Sequence, residues 1–161
     1  MLDGGDLSQT LKRGPLSPAE THGIFVQLCH ALGAAHLGGI VHRDLKPENV
    51  FLVASRRADA PYTVKVLDFG IAKVIAEAQA VNTGASGTPL YMAPEQTQAG
   101  RVISPRTDVW ALGPIAFRML AGRACWKGAS SEDVTPLMVL RETLMNPLVP
   151  ASERAAELGA E

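Results

Sequence analysis

The octet His42-Arg43-Asp44-Leu45-Lys46-Pro47-Glu48-Asn49 constrains this chain more than any other segment. It is flanked by short β-branched or apolar stretches, Ile40-Val41 on one side and Val50-Phe51-Leu52-Val53 on the other. A third such stretch, Val64-Lys65-Val66-Leu67, runs directly into Asp68-Phe69-Gly70. Residues 54–61 between the last two are polar and turn-like. The charged and amide side chains are therefore expected on loops between small strands.

Helix signals bracket these loops. Ser17-Pro18-Ala19-Glu20 reads as a helix start, with Ser17 as cap, Pro18 at the first helical position and Glu20 completing a capping box. Ile24, Phe25, Leu28, Ala31, Leu32 and Ala35 recur at helical spacing until Gly38-Gly39, which predicts a buried helix. Ser104-Pro105 opens a second helix, apolar nearly all round through Val109, Trp110, Leu112, Ile115, Ala116, Met119 and Leu120, and expected to be the pillar of the core. Pro114 inside it removes the amide facing the Trp110 carbonyl, so a kink is expected. Residues 133–145 predict a further amphipathic helix. Residues 71–92 lack steady periodicity and read as a long functional loop, and residues 147–161 as a loosely held end.

Composition excludes several classes. At 161 residues, 47% hydrophobic and 19% charged, the chain is long enough to bury about 70% of its unfolded surface as one globular unit. The formal net charge of -1, with 15 Lys and Arg scattered along the chain, gives no basic stripe for nucleic acid and no field favouring an anionic membrane. Two cysteines, Cys29 and Cys125, do not make a disulfide scaffold, so a reducing, cytoplasmic setting is expected. The longest apolar run, Val109 to Phe117, contains Pro114 and is about half the length of a membrane span. The N-terminus lacks the basic and apolar regions of a signal peptide.

The octet combines basic, acidic and amide groups, and Asp68 adds a second acid on the next loop. These are groups suited to holding a metal-bound triphosphate beside a hydroxyl. Together with Gly87-Thr88-Pro89-Leu90-Tyr91-Met92-Ala93-Pro94-Glu95 and Asp108-Val109-Trp110-Ala111-Leu112-Gly113, they resemble, in order and approximate spacing, the motifs of the eukaryotic-like Ser/Thr protein kinases. A lone His-Arg-Asp or Asp-Phe-Gly would mean little. The resemblance covers Met1 to about Met145, and Leu2-Asp3-Gly4-Gly5-Asp6-Leu7 looks like the stretch after the hinge between the two kinase lobes. It implies an α+β, predominantly helical fold: a kinase-like large lobe with a few short strands around the catalytic and metal-binding loops.

Site roles follow from the resemblance and from charge. Phosphoryl transfer relies on positioning and neutralisation. Asp44 is expected to accept the substrate hydroxyl proton, and Lys46 to neutralise the transferring phosphate and help bind nucleotide. Asn49 and Asp68 supply hard oxygen ligands for Mg2+ and with it ATP. Thr88 is expected to bridge the catalytic loop and the segment that seats the substrate, with a structural ST-turn as the alternative. Asp108 suits hydrogen bonds from the catalytic-loop backbone, whereas His42, Phe69, Tyr91 and Trp110 are assigned to packing. The resemblance also implies that Arg43 binds a phosphorylated residue of the mobile loop, with Thr83 as the main candidate and Ser86 as the second.

No Gly-x-Gly spacing occurs anywhere, and no upstream strand lysine is present to grip the α- and β-phosphates. Residues 1–161 are therefore expected to be a partial kinase domain, from the hinge end through the helix after the central helix. The small ATP-covering lobe and the C-terminal end are expected to be absent, with little or no phosphate transfer by the isolated segment. Glu95 is expected to lack an arginine partner. The function read is transfer of the γ-phosphate of Mg-ATP to protein Ser or Thr hydroxyls. The partners read are protein substrates and a second kinase molecule, without nucleic acid or membrane contact. The alternative is a non-catalytic kinase-like scaffold or decoy, and a small-molecule phosphotransferase ranks below both.

Overall fold

A computed structural model describes residues 4–55, 61–70, 89–98, 100–129 and 135–160. A short strand β1 (Gly4–Asp6) leads into helix α1 (Leu7–Leu11), and the long helix α2 follows (Pro18–Leu37). Strands β2 (Val50–Ala54) and β3 (Tyr62–Val66) come next, then helices α3 (Pro105–Ala121), α4 (Pro136–Met145) and α5 (Ala151–Glu157). The three strands form one antiparallel sheet in the order β1-β2-β3, with Gly5 opposite Leu52 and Leu52 opposite Val64. Val50 and Leu52 alternate inward along β2, which fixes the register because a slip of one residue would turn both outward.

Ser17 caps α2 as its sequence predicts: its Oγ accepts from the Glu20 backbone N–H at 3.3 Å, and the Ser17 N–H donates to Glu20 Oε2 at 3.0 Å. At the other end Gly39, at φ 74°, lets the Gly39 and Ile40 amides turn back to the carbonyls of His36 and Ala35. The helix is buried along one stripe, Thr21, Ile24, Leu28 and Leu32, and not all round; Val26 and Leu37 face solvent. Helix α3 runs unbroken through Pro114 and likewise buries a stripe, Ala111, Leu112, Ile115 and Met119, while Val109 and Leu120 are exposed. The stripes of α2 and α3 meet in one core with Leu7, Leu45 and the inward residues of the sheet.

Two other expectations change. Ile40-Val41 is not a strand; the Ile40 amide is drawn back into the α2 cap, where it donates to the Ala35 carbonyl. The stretch 147–161 is not loose where it is described: α5 is anchored by buried Arg154, whose Nε donates to the Cys125 carbonyl at 2.8 Å and whose Nη1 meets Glu157 at 2.9 Å. The helix expected over 133–145 is present as α4, with Thr135 as its N-cap; residues 130–134 lie outside the described residues. Among the described residues no helix is long and apolar enough to cross a membrane, and both cysteines are free.

Candidate active site

The octet follows the α2 cap and is fastened from three sides. From α3, the buried carboxylate of Asp108 accepts the backbone N–H of His42 and of Arg43, both at 2.9 Å, and lies 2.7 Å from His36 Nε2. The backbone role expected of Asp108 is thus seen directly. From the segment after residue 89, Gln96 Nε2 donates to the Arg43 carbonyl at 2.6 Å, while its Oε1 accepts the Ala93 N–H at 2.9 Å. From the loop after β3, the Leu67 N–H donates to the Asn49 carbonyl at 2.8 Å and the Gly70 N–H to the His42 carbonyl at 2.9 Å. A Cβ on Gly70 would lie 2.7 Å from that carbonyl, so this close approach requires glycine.

Two non-glycine residues sit at positive φ, Arg43 at 66° and Asp68 at 53°. Such backbone costs about 1–3 kcal/mol and persists only where surrounding bonds over-determine it. The bonds to Asp108 and Gln96 do so for Arg43, and the flanking Leu67 and Gly70 bonds do so for Asp68. Fully buried His42 completes the seam, with its Nε2 2.9 Å from the Leu67 carbonyl and its ring 4.8 Å from Phe69. Packing, as expected, is its part.

Three of the sequence-predicted residues converge. Lys46 Nζ lies 3.0 Å from Asp44 Oδ2, and Asn49 Nδ2 donates to the Asp44 carbonyl at 2.8 Å and approaches its carboxylate at 3.4 Å. With the amide nitrogen of Asn49 committed to Asp44, its oxygen is the end left for a hard cation. Asp68 is exposed on the adjoining loop, one residue beyond the Leu67 amide that bonds Asn49. Among the described residues no group of three or more His, Cys, Asp or Glu forms a self-sufficient metal cage. One carboxylate and one amide oxygen nonetheless suit Mg2+, which binds through one or two protein oxygens and completes its shell with phosphate and water. Thr83, Ser86 and Thr88 lie outside the described residues.

A pocket of about 310 Å3 opens beside these groups, lined by the octet on one side and by residues 89–92, Gln96 and α3 on the other. In its wall Arg118 Nη1 donates to the Tyr91 hydroxyl at 2.7 Å, and burial pushes that hydroxyl above its usual pKa despite the Arg118 bond. Glu95 is not unpartnered, as the Thr107 hydroxyl donates to its Oε1 at 2.6 Å. Sequence reasoning missed His36 and Arg118, whose partners are 72 and 27 positions away. Gln96 left a signal, an amide at the third position of the turn opened by Ala93-Pro94.

The sequence pattern describing the protein kinase domain matches residues 1–157. The chain is 52% identical over 125 residues to serine/threonine-protein kinase Pkn1 of Myxococcus xanthus, covering 76% of this chain and 17% of that protein. It is 34% identical over 156 residues to PknB of Mycobacterium leprae, covering 95% and 23% respectively. It is also 36% identical over 133 residues to PknL of Mycobacterium tuberculosis, covering 81% and 32%. The chain thus spans a third or less of the length of these curated relatives.

Proposed function

The chain belongs to the protein kinase domain family, and from that premise we propose that it forms the large-lobe part of a Ser/Thr protein kinase that moves the γ-phosphate of Mg-ATP to protein Ser or Thr hydroxyls. The observation that carries this reading is the bonding of Asn49 to Asp44 on one side and to Leu67 on the other, which brings the loops of Asp44 and Asp68 together.

Family members use ATP with a divalent metal; on this chain Asn49 and Asp68 would hold the ion, and the bound Mg-nucleotide supplies the phosphoryl group and neutralises its charge. Asp44 orients the acceptor hydroxyl and takes its proton. Lys46, already beside Asp44, offers its ammonium to the phosphoryl oxygens, which weakens its hold on Asp44 as the proton arrives. Thr88 bridges to the substrate-seating segment, and Arg43 pairs with a phosphate on Thr83 or Ser86 in the active form. A small lobe encoded outside these residues would cover the nucleotide. We place the catalytic step in the cytoplasm, where ATP is available.

Asp44→Asn in the full-length protein tests the assignment. It keeps shape and hydrogen bonding to Asn49 but removes the base. Transfer to a Ser peptide should fall about 10²- to 10⁴-fold with little change in thermal midpoint. Transfer retained within threefold would remove Asp44 from its role.

A further inference from the structure

We infer that Arg118 is a specificity-determining residue that takes a carboxylate of the peptide substrate, next to the acceptor hydroxyl; this deepens the kinase reading and rests on it. Arg118 is half-buried on α3 and lines the pocket of about 310 Å3 that also contains Asp44 and Lys46. Its partner is the neutral hydroxyl of Tyr91. No carboxylate among the described residues pairs with it.

The acids nearby are engaged elsewhere or stand off. Asp108 accepts from His36 and from two backbone amides, Glu95 accepts from Thr107, and Asp44 is paired with Lys46. Glu48 shares the pocket lining and lies near enough to influence Tyr91, yet it is exposed and makes no ion pair with Arg118. A guanidinium presents five N–H donors in a planar fork, and only Nη1 is taken up here, by an uncharged oxygen. Removing such a charge partly from water is unfavourable until an anion meets it. A carboxylate suits the fork, which binds it with two parallel bonds.

The pocket's position says where that carboxylate comes from. A volume of about 310 Å3 corresponds to a space about 8 Å across, which an extended peptide crosses in two or three residues. A chain whose hydroxyl faces Asp44 therefore brings a side chain within a few positions of it to Arg118. An Asp or Glu there gains a charge-assisted pair, and a Lys or Arg meets a like charge.

The test is fluorescence anisotropy with the full-length protein and labelled peptides. Each carries one Ser in an Ala frame, with a single Asp, Ala or Lys at each of three positions on either side. At one position Asp should bind about fivefold more tightly than Ala, and Lys more weakly than Ala. Arg118→Gln should abolish that difference, and Arg118→Glu should reverse it so that Lys binds best. A merely structural role for Arg118 would lower all affinities together without reversing the order. Equal affinity for Asp, Ala and Lys at every position, an Asp preference that survives in Arg118→Gln, or no binding by any peptide would each overturn the inference. Phosphate transfer to the Ala-frame peptide is followed in parallel. Asp44-dependent transfer without charge preference leaves the kinase reading standing and removes only the role of Arg118. A charge preference without transfer leaves the Arg118 site standing and removes the kinase reading.

Discussion

The carboxylate of Asp108 is buried and meets three donors: the His42 and Arg43 amides and His36 Nε2 all reach it within 3 Å. Asp108→Ala strands two backbone amides at the start of the octet, so urea denaturation should show a loss of about 2–4 kcal/mol. Arg43 then loses one of the bonds that hold it at positive φ, and transfer should fall further than the folded fraction does. A second residue-scale outcome concerns Cys125, whose thiol is pushed up from 9.0 to about 11, chiefly by burial. A raised thiol pKa means the folded chain favours the neutral form. Its contribution to stability is therefore whole below pH 9 and is lost as pH rises through 11. At pH 8 the native thiolate fraction is about a hundredfold below that of an ordinary thiol, so iodoacetamide should label Cys125 about a hundredfold more slowly in native than in urea-unfolded protein.

Among the elements, α2 is the clearest product of local rules: a capping box starts it, a glycine at positive φ stops it, and its apolar residues fall on one stripe. Ser17→Ala should cost about 1 kcal/mol, read as a shift of the denaturation midpoint with unchanged slope. Ile40-Val41 shows the opposite case. Its composition favours a strand, yet among the described residues no strand pairs with these two positions, and the Ile40 amide is spent on the helix cap. Gly4–Asp6 shows it from the other side: poor strand formers become β1 because β2 presents an edge to them.

For the whole molecule, the α2 and α3 stripes close one core that carries the octet on its surface, and the Leu16 amide bonds the Met119 carbonyl across them at 2.7 Å. The C-terminal helices attach by polar anchors. Arg154 reaches the carbonyls of Cys125 and Trp126, and Trp126 stacks on Trp110 of α3 at 6.4 Å. Arg154→Ala removes these bonds and takes the guanidinium donor from the Cys125 carbonyl, while the Trp126 carbonyl keeps the Ala129 amide. Amide exchange over residues 151–160 should then accelerate by more than tenfold while α2 and α3 stay protected, which would mark the end as a unit of lower stability.

Motif residues, both long helices and two of the three strands were legible in the sequence, because capping, periodicity and octet chemistry act over a few positions. Asp44, Lys46 and Asn49 were singled out for the same reason: their chemistry and their spacing lie within one loop. The partnership of His36 with Asp108, the Arg118–Tyr91 contact, the hydroxyl that answers Glu95 and the anchoring of Arg154 were not legible. Each joins groups that are remote along the chain, and which distant donor meets a buried acid is decided only when α2, α3 and the segment after residue 89 pack together. Local chemistry picked out the candidate reacting groups; the tertiary fold set which charges are answered by charges and which, like Arg118, meet only a neutral hydroxyl among the described residues.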